Sequence, residues 1–184
     1  ADLHLFARNP AAVDEFVAKL GHAGVRPALA FADFGGADYA AIINCVGFGN
    51  PASLRAAGSA LFAVTEHHDS LVLAYLEKCP ECLYVNMSSG AVYRGAFSAP
   101  VDDRTAASFL VNDLQSADCY ALAKLYSEMK HRAAAWARIV DIRVFSFFSR
   151  HIDPDAGFLL SDIVRCIRDR TEFVTGPGDL VRDY

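Results

Sequence analysis

Strand-like and helix-like runs alternate along the whole chain, and this alternation constrains the fold more than any other feature. Near-continuous apolar strands separated by helices are typical of a parallel sheet that is covered by helices on both faces. The sequence therefore predicts a doubly wound α/β domain. The strand-like runs are "LHLFA", "RPALAFADF", "YAAIINCVG", "CLYVNMSS" and "RIVDIRVFSF". The helix-like patterns are "PAAVDEFVAKLGHAG", about 55–78, "CYALAK" continuing to about Trp136, and 157–170, with a polar loop over about 94–117.

The composition suits a well-buried globular protein, since 53% of the 184 residues are hydrophobic and 21% are charged. The net charge of −5 comes without a clustered basic stripe, which argues against a nucleic-acid partner. No run approaches the roughly 18 consecutive apolar residues of a membrane span. The first residues, "ADLHLFARNP", lack the pattern of a signal peptide. We expect a cytoplasmic protein that binds neither membrane nor nucleic acid.

The five cysteines predict reduced thiols, because their number is odd and their spacing is not that of a disulfide framework. Cys79 and Cys82 form a C-x-x-C, but no second pair stands at a distance suited to a structural zinc. The neighbouring His67 and His68 diverge if their segment is helical, so a solvated helix face explains them better than a metal site. We expect no bound metal.

The segment "CYALAK" places Tyr120 one helical turn before Lys124, so the two side chains share a helix face. An ammonium beside a phenol favours the phenolate, and this suits a tyrosine to act as a general acid or base. The same spacing also arises by chance on surface helices whose tyrosine and lysine are unrelated. The spacing alone leaves both interpretations open.

Small and hydroxyl residues follow several of the predicted strands, at "NCVGFG", "MSSG" and "VFSF". In sheets of this class, ligands bind beyond the carboxyl ends of the strands. Gly47 and Gly49 would allow a ligand to approach the backbone closely, although a simple tight turn explains them equally well. Ser88 and Ser89 end an apolar strand. One of them can cap the turn that follows, and a hydroxyl here can also reach the site toward which Tyr120 points.

Four segments together resemble a known enzyme family: "YVNMSSGAVY", "CYALAKLYSE", "IRVFSFFSR" and "GPGDLVRDY". They follow in the order found in the extended short-chain dehydrogenase/reductases. More narrowly, the chain resembles the NAD-dependent epimerase/dehydratase family, which modifies nucleotide sugars on a Rossmann-like fold. The resemblance implies that Ser89, Tyr120 and Lys124 are the catalytic residues. It also implies that Lys124 hydrogen-bonds the nicotinamide ribose.

The implied activity is an NAD(P)-dependent oxidation or reduction of a nucleotide sugar. Sugar 4,6-dehydratases of the family carry an Asp-Glu pair directly after the catalytic Ser or Thr, where this chain has Gly90 and Ala91. Their absence argues against dehydration and leaves epimerisation or ketone reduction. We expect such an enzyme to form a homodimer.

Further matches concern the cofactor. Asp33 in "FADF" occupies the family position that binds the adenine amino group, with Phe34 beside it, although a turn cap is an alternative for Asp33. Arg8 in "FARNP" lies where NAD enzymes carry a carboxylate for the ribose hydroxyls. An arginine there can pair with the 2′-phosphate, so NADP is the expected cofactor and NAD the alternative. We predict that Ser89, Tyr120 and Asp33 face one crevice.

Two residues match positions near the substrate. Ser146 lies where an Asn often contacts the nucleotide sugar, and Arg182 in "RDY" matches an arginine near the substrate. A surface turn is an equally good explanation of Arg182.

The chain also departs from the family pattern. The glycine-rich G-x-x-G-x-x-G that binds the pyrophosphate is absent, because the match begins at the family's second strand. We therefore interpret residues 1–184 as an incomplete NAD(P)-binding domain, in which the start of a substrate-binding lobe follows from about 151. The alternative function is a non-catalytic NADP-binding sensor or scaffold subunit. The missing glycine motif favours this alternative, whereas the intact catalytic trio argues against it.

Overall fold

The computed structural model describes residues 2–22, 25–48, 50–94 and 100–176. The chain divides into two compact units, Ala1–Tyr39 and Ala40–Tyr184.

In the described residues of the first unit, the regular helix is α1, over Pro10–Lys19. The side chain of Asn9 accepts a hydrogen bond from the Ala12 amide, and Pro10 occupies the first helical turn, where its missing N–H costs nothing. The helix predicted from the "PAAVDEF" pattern is therefore present. It ends before the Gly-containing stretch that the pattern included, since Gly21 adopts a positive φ of 71°.

The two strands predicted for the first unit are reduced to a single parallel bridge between Phe6 and Leu29. Two hydrogen bonds make it, from the Ala7 amide to the Leu29 carbonyl (2.9 Å) and from the Leu29 amide to the Leu5 carbonyl (2.8 Å). Pro27 has no N–H to extend the ladder on one side. On the other side the chain turns into a short 3₁₀ helix, Phe31–Asp33. The two runs are therefore parallel, as the predicted class of sheet requires, but they do not form the strands that the patterns predicted.

The described residues of the second unit form three parallel strands: β1 (Ala41–Asn44), β2 (Leu83–Ser89) and β3 (Arg138–Val144). Their order in the sheet is β1-β2-β3, so β2 is central. Asn44 pairs with Asn86 across β1 and β2, and Ser89 pairs with Val144 across β2 and β3. Because the strands are parallel, their carboxyl ends lie at one edge of the sheet. The predicted parallel α/β class is confirmed.

The connections are helical, with one difference from the sequence pattern. The single helix expected over about 55–78 is two helices, α2 (Pro51–Ala57) and α3 (Ala60–Leu76). A capping box between Asn50 and Ser53 starts α2 earlier than expected, and Gly58 breaks the run with a φ of 51°. The remaining helices are α4 (Cys119–Ala133) and α5 (Leu159–Asp169). Short 3₁₀ turns cover Gly90–Tyr93, Val111–Asp113 and Ser116–Asp118.

Helices α3 and α4 lie on one face of this sheet. The Tyr84 hydroxyl on β2 donates a hydrogen bond to Asp69 of α3, and the Ser88 hydroxyl donates one to Glu128 of α4. The opposite face carries aliphatic side chains, which include Ile43, 65% exposed. The helix-covered face is thus polar along its centre, and the opposite face is apolar. Among the described helices, none combines the length and the apolar composition that a membrane crossing requires.

Candidate active site

The carboxyl edge of the three strands gathers several of the predicted site residues. Ser89 is the last residue of β2, Gly47 follows the end of β1, and Ser146 follows the end of β3. Helix α4 begins at the same edge, because Asp118, the residue before it, forms an ion pair with Arg94 just beyond β2. This is the edge at which parallel α/β sheets bind ligands.

Ser89 performs the capping role that the sequence left open. Its Oγ accepts a hydrogen bond from the Ala91 amide at 3.1 Å and thereby starts the 3₁₀ turn Gly90–Tyr93. A serine hydroxyl has one donor and two acceptor positions. Accepting from the backbone therefore leaves the Ser89 O–H to donate to another group, and the two interpretations of this serine are compatible.

Gly90 has a packing reason to be glycine. A Cβ at this position would lie 2.5 Å from the ring of Phe145, closer than real side chains approach each other. Phe145 in turn stacks on Tyr93, with ring centroids 6.0 Å apart. A side chain in place of the Gly90 hydrogen would have to displace this aromatic pair.

Tyr120 and Lys124 both lie on α4, as the spacing predicted, so they share one face of the helix. Lys124 is buried, with 6% of its surface exposed, and its Nζ donates a hydrogen bond to the Met87 carbonyl at 2.8 Å. This bond fixes α4 against β2, two residues before Ser89. Burial lowers the pKa of Lys124.

Gly47 lies beside the same ammonium. A Cβ added to Gly47 would be 3.9 Å from Lys124 Nζ. The glycine therefore leaves an open backbone surface next to the lysine, as expected if a ligand approaches there. Gly47, Ser89, Ser146 and the two residues of α4 all belong to the second unit.

The remaining predicted residues lie elsewhere. Arg8, Asp33 and Phe34 belong to the first unit, so the crevice predicted for Asp33, Ser89 and Tyr120 stays a prediction. Asp33 is exposed and ends the 3₁₀ turn, and Arg8 is exposed near the Phe6 bridge. Phe34 makes an edge contact with Phe6 (5.4 Å) and stacks on Tyr39 (5.7 Å), which gives its ring a structural role. Gly49 and Arg182 lie outside the described residues.

A charged cluster that the sequence pattern did not predict lies behind Ser89. Glu128 accepts hydrogen bonds from the Ser88 hydroxyl (2.6 Å) and from the guanidinium of Arg143, at 2.9 Å for Nε and 2.5 Å for Nη2. Arg143 also donates to the hydroxyl of Tyr93. Burial alone would raise the pKa of Glu128, but the hydrogen bonds from Arg143 and Ser88 outweigh it and hold that pKa below its usual value. Glu128 is therefore an ionised carboxylate in the core.

A second buried cluster centres on His131 of α4. Its Nε2 lies 2.7 Å from Asp69 and its Nδ1 lies 2.8 Å from Asp141. Burial by itself would lower the pKa of His131, but the two carboxylates raise it to about 9. Tyr84 donates to Asp69 and Asn86 donates to Asp141, each at 2.8 Å. The cluster thus connects α3, α4, β2 and β3.

Both clusters left a signal in the sequence. The run "CLYVNMSS" predicts an apolar strand, yet every second residue from Tyr84, that is Tyr84, Asn86 and Ser88, carries a polar group on the same face. Glu128 and His131 follow Lys124 at helical spacing and lie on the matching face of α4. Polar residues recur at every second position of the strand and at every third or fourth position of the helix. Taken together, these two patterns predict a polar interface between β2 and α4.

Within the described ranges, no group of three or more His, Cys, Asp or Glu side chains is arranged to hold a metal ion. All five cysteines are free thiols.

Comparison with known proteins adds information on the fold. No protein-family model and no curated protein matches the sequence. A crystal structure of a GDP-L-fucose synthetase from Naegleria fowleri bound to NADP matches with a TM-score of 0.55 and 16% identity, over 98% of this chain and 67% of that one. A second GDP-L-fucose synthetase structure from that organism matches with a TM-score of 0.53 and 14% identity, over 92% of this chain and 62% of that one. The chain spans about two thirds of the length of these proteins, and at this identity the likeness shows a shared Rossmann-like α/β fold.

Proposed function

We propose that this protein is an NAD(P)-dependent oxidoreductase that transfers hydride to or from a carbon of a nucleotide sugar, by epimerisation or ketone reduction. The observation that carries the proposal is the hydrogen bond from Lys124 Nζ to the Met87 carbonyl at 2.8 Å. It holds the helix that carries Tyr120 against the strand that ends at Ser89, and this supports a site to which both residues contribute. The fold shared with an NADP-bound GDP-L-fucose synthetase supports the same conclusion.

In this proposal Tyr120 is the general acid or base. Hydride transfer at a sugar carbon requires a proton to move on the attached oxygen, and a positioned acid–base side chain contributes about a hundred- to ten-thousandfold to such a step. Lys124 lies one turn further along the same helix face, where its bond to Met87 holds α4 against β2. Ser89 donates its free O–H to the same sugar oxygen and stabilises the charge that develops there. A bound nicotinamide supplies or accepts the hydride.

The residues of the second unit fit the nicotinamide end of such a cofactor. An ammonium has three donors, of which Lys124 uses one on Met87, so others can reach ribose hydroxyls. Gly47 leaves the backbone beside Lys124 open. At the other end of the cofactor we assign Asp33 and Phe34 to the adenine, and Arg8 to a 2′-phosphate. NADP is therefore the proposed cofactor, with NAD as the alternative.

Gly90 favours epimerisation or reduction over dehydration. A dehydratase of this kind needs a carboxylic acid directly after the catalytic hydroxyl residue. The ring of Phe145 fills the space that a side chain at Gly90 would require. We assign Ser146 and Arg182 to the nucleotide sugar, and Ser146 lies just beyond β3, at the edge that holds Ser89.

The test is to incubate the full-length natural protein with reduced nicotinamide deuterated at the transferable position and a panel of GDP-, UDP- and dTDP-linked sugars and 4-keto sugars. We expect tighter binding of NADPH than of NADH by fluorescence titration. We also expect deuterium to appear at one carbon of one sugar if the protein is a reductase. In a parallel incubation with oxidised nicotinamide, an epimerase instead removes a hydride from the sugar carbon, returns it to the opposite face and produces an inverted sugar without net consumption of cofactor. Nicotinamide binding without turnover of any sugar would favour a sensor or scaffold, and absence of nicotinamide binding would contradict both.

A further inference from the structure

Arg94 has an unusual backbone for an arginine. It follows the turn Gly90–Tyr93 directly, with φ 59° and ψ 7°, in the left-handed region that favours glycine. The turn itself begins at Ser89, and the Arg94 amide closes it by donating to the Ala91 carbonyl at 2.9 Å. A strained conformation of this kind persists only where the surrounding contacts hold it.

The contact that holds Arg94 is a two-pronged ion pair with Asp118. Nε donates to Oδ1 at 2.9 Å and Nη2 donates to Oδ2 at 3.0 Å. Oδ2 also accepts the amide of Gln115 at 3.0 Å, and Asp118 is 9% exposed. The guanidinium lies over the ring of Phe109, 5.4 Å from its centroid. A paired fork of this geometry fixes both partners in orientation as well as in distance.

The pair joins the two segments that carry the proposed catalytic hydroxyls. Arg94 ends the turn that Ser89 starts, and Asp118 precedes the helix in which Tyr120 is the second residue. No regular element connects these segments directly, since the described part of the chain between them contains only short 3₁₀ turns.

We infer that Arg94 and Asp118 are positioning residues, which set the separation between the Ser89 hydroxyl and the Tyr120 phenol. The inference rests on the proposed function, in which both groups act on one sugar oxygen. Two donors on one atom tolerate little displacement, and a misplacement of about 1 Å can lower a rate about a hundredfold. Glycine at position 94 would adopt this backbone without strain, so the paired guanidinium is what the arginine adds at this position.

This last point gives a test that separates positioning from stability. Arg94→Gly removes the guanidinium and suits the backbone. Arg170, which ends α5 with φ 55°, is a matched control, since it is another left-handed arginine distant in sequence from the catalytic segments. Each variant of the full-length protein is assayed for kcat, for the KM of cofactor and sugar, and for thermal unfolding, using the nucleotide sugar that the wild type converts.

We expect Arg94→Gly to lower kcat about tenfold to a hundredfold while the KM of the cofactor stays near wild type. The relieved backbone strain and the remaining bond from the Gln115 amide offset part of the lost ion pair, so the variant should stay folded at the assay temperature. Arg94→Lys keeps the charge but loses the forked pair of donors, so its kcat should lie between those of Arg94→Gly and the wild type. Arg170→Gly should leave kcat unchanged. A wild-type kcat in Arg94→Gly would overturn this inference and leave the proposed function standing. A loss of activity that only follows the fraction of unfolded protein would do the same. A wild-type protein that converts no nucleotide sugar would overturn the proposed function and the inference with it.

Discussion

Glu128 is a buried carboxylate whose oxygens accept hydrogen bonds from Ser88, next to the proposed catalytic serine, and from Arg143. Its side chain is 1% exposed, whereas that of Arg143 is 27% exposed. Removing one partner of a buried ion pair leaves the other without compensation. Glu128 therefore stabilises the end of β2 from the buried side and does not face the site.

We predict that Glu128→Gln lowers the free energy of unfolding by about 3 kcal/mol, the lower end of the range for a broken buried pair, because Arg143 still reaches water. Arg132 provides a control, since it contacts the same carboxylate at 3.3 Å from an exposed position. Arg132→Gln should change stability by less than about 0.5 kcal/mol. Urea unfolding measures the stability of both variants. Equal losses would show that the buried pair of Glu128 and Arg143 stabilises the protein no more than the exposed contact of Arg132.

The sequence predicted individual residues well where the signal is local. The spacing of Tyr120 and Lys124, and the capping role of Ser89, depend on neighbours a few positions away. The pairing of Arg94 with Asp118 joins residues 24 positions apart, and that of Ser88 with Glu128 joins residues 40 apart. No local pattern encodes such contacts, because they form only when β2 and α4 are packed together.

At the level of elements, His131 connects two helices and two strands through its two carboxylate partners. A neutral imidazole has one N–H, but both ring nitrogens here face acceptor-only carboxylates. The geometry therefore requires the imidazolium. The other polar groups around this cluster include Tyr84, which donates to Asp69, and Asn86, which donates to Asp141. Lys130 Nζ also lies 2.7 Å from Asp69.

This charge predicts a loss of stability in alkaline solution. The pKa of His131 rises from 6.5 to about 9 on folding, so its contribution is complete below about pH 6.5 and is lost as the pH rises through about 9. The contribution corresponds to about 3 kcal/mol. Urea unfolding of the wild type between about pH 6.5 and 9.5 should show this decrease in the free energy of unfolding. In His131→Gln, whose side chain cannot titrate, the decrease should be absent. If the free energy of unfolding depended on pH equally in both proteins, the decrease would come from groups other than His131.

Element boundaries show where sequence patterns are informative. Strands β2 and β3 were predicted nearly to their ends, because both are long and rich in residues suited to strands. The helix expected over about 55–78 is divided at Gly58, since one glycine in a left-handed conformation interrupts an otherwise continuous pattern. The two strands of the first unit are reduced to one bridge. The length of a strand depends on how many of its backbone groups pair with a neighbour, and a hydrophobic pattern does not contain that information.

For the whole molecule, the second unit exposes an apolar patch on α3 and α4. It is formed by Phe62, Leu122, Leu125, Tyr126 and Met129. Contiguous apolar surface on a folded protein marks an interaction site more often than scattered residues do. A patch on two adjacent helices can pair with its own copy about a twofold axis. We propose that a second copy of the chain covers this patch, in line with the expected homodimer.

Met129→Glu, at a position 58% exposed, should therefore convert a dimer into a monomer without unfolding it. Ile167→Glu on α5, 73% exposed and outside the patch, is the matched control and should leave the dimer intact. Sedimentation velocity measures both. A monomeric wild-type protein at micromolar concentration, or a dimer that survives Met129→Glu, would contradict the proposed interface.

The overall architecture was the most predictable level, because alternating strand and helix patterns leave few alternatives to a parallel α/β fold. The likeness to the GDP-L-fucose synthetase structures agrees with it. The domain interpretation, with a substrate lobe from about 151, stays a prediction. So do the assignments of Arg8, Asp33 and Phe34, since they belong to the unit Ala1–Tyr39 and the proposed catalytic residues belong to the other.

The central claim is that Tyr120 moves the proton that accompanies hydride transfer, and Tyr120→Phe tests it most directly. The substitution removes only a hydroxyl, so NADPH affinity and unfolding temperature should stay at wild-type values. Turnover of the nucleotide sugar should fall about a hundred- to ten-thousandfold. Tyr126→Phe, which removes a hydroxyl from an exposed tyrosine of the same helix and keeps its ring, should retain full turnover. Wild-type turnover in Tyr120→Phe would contradict the account.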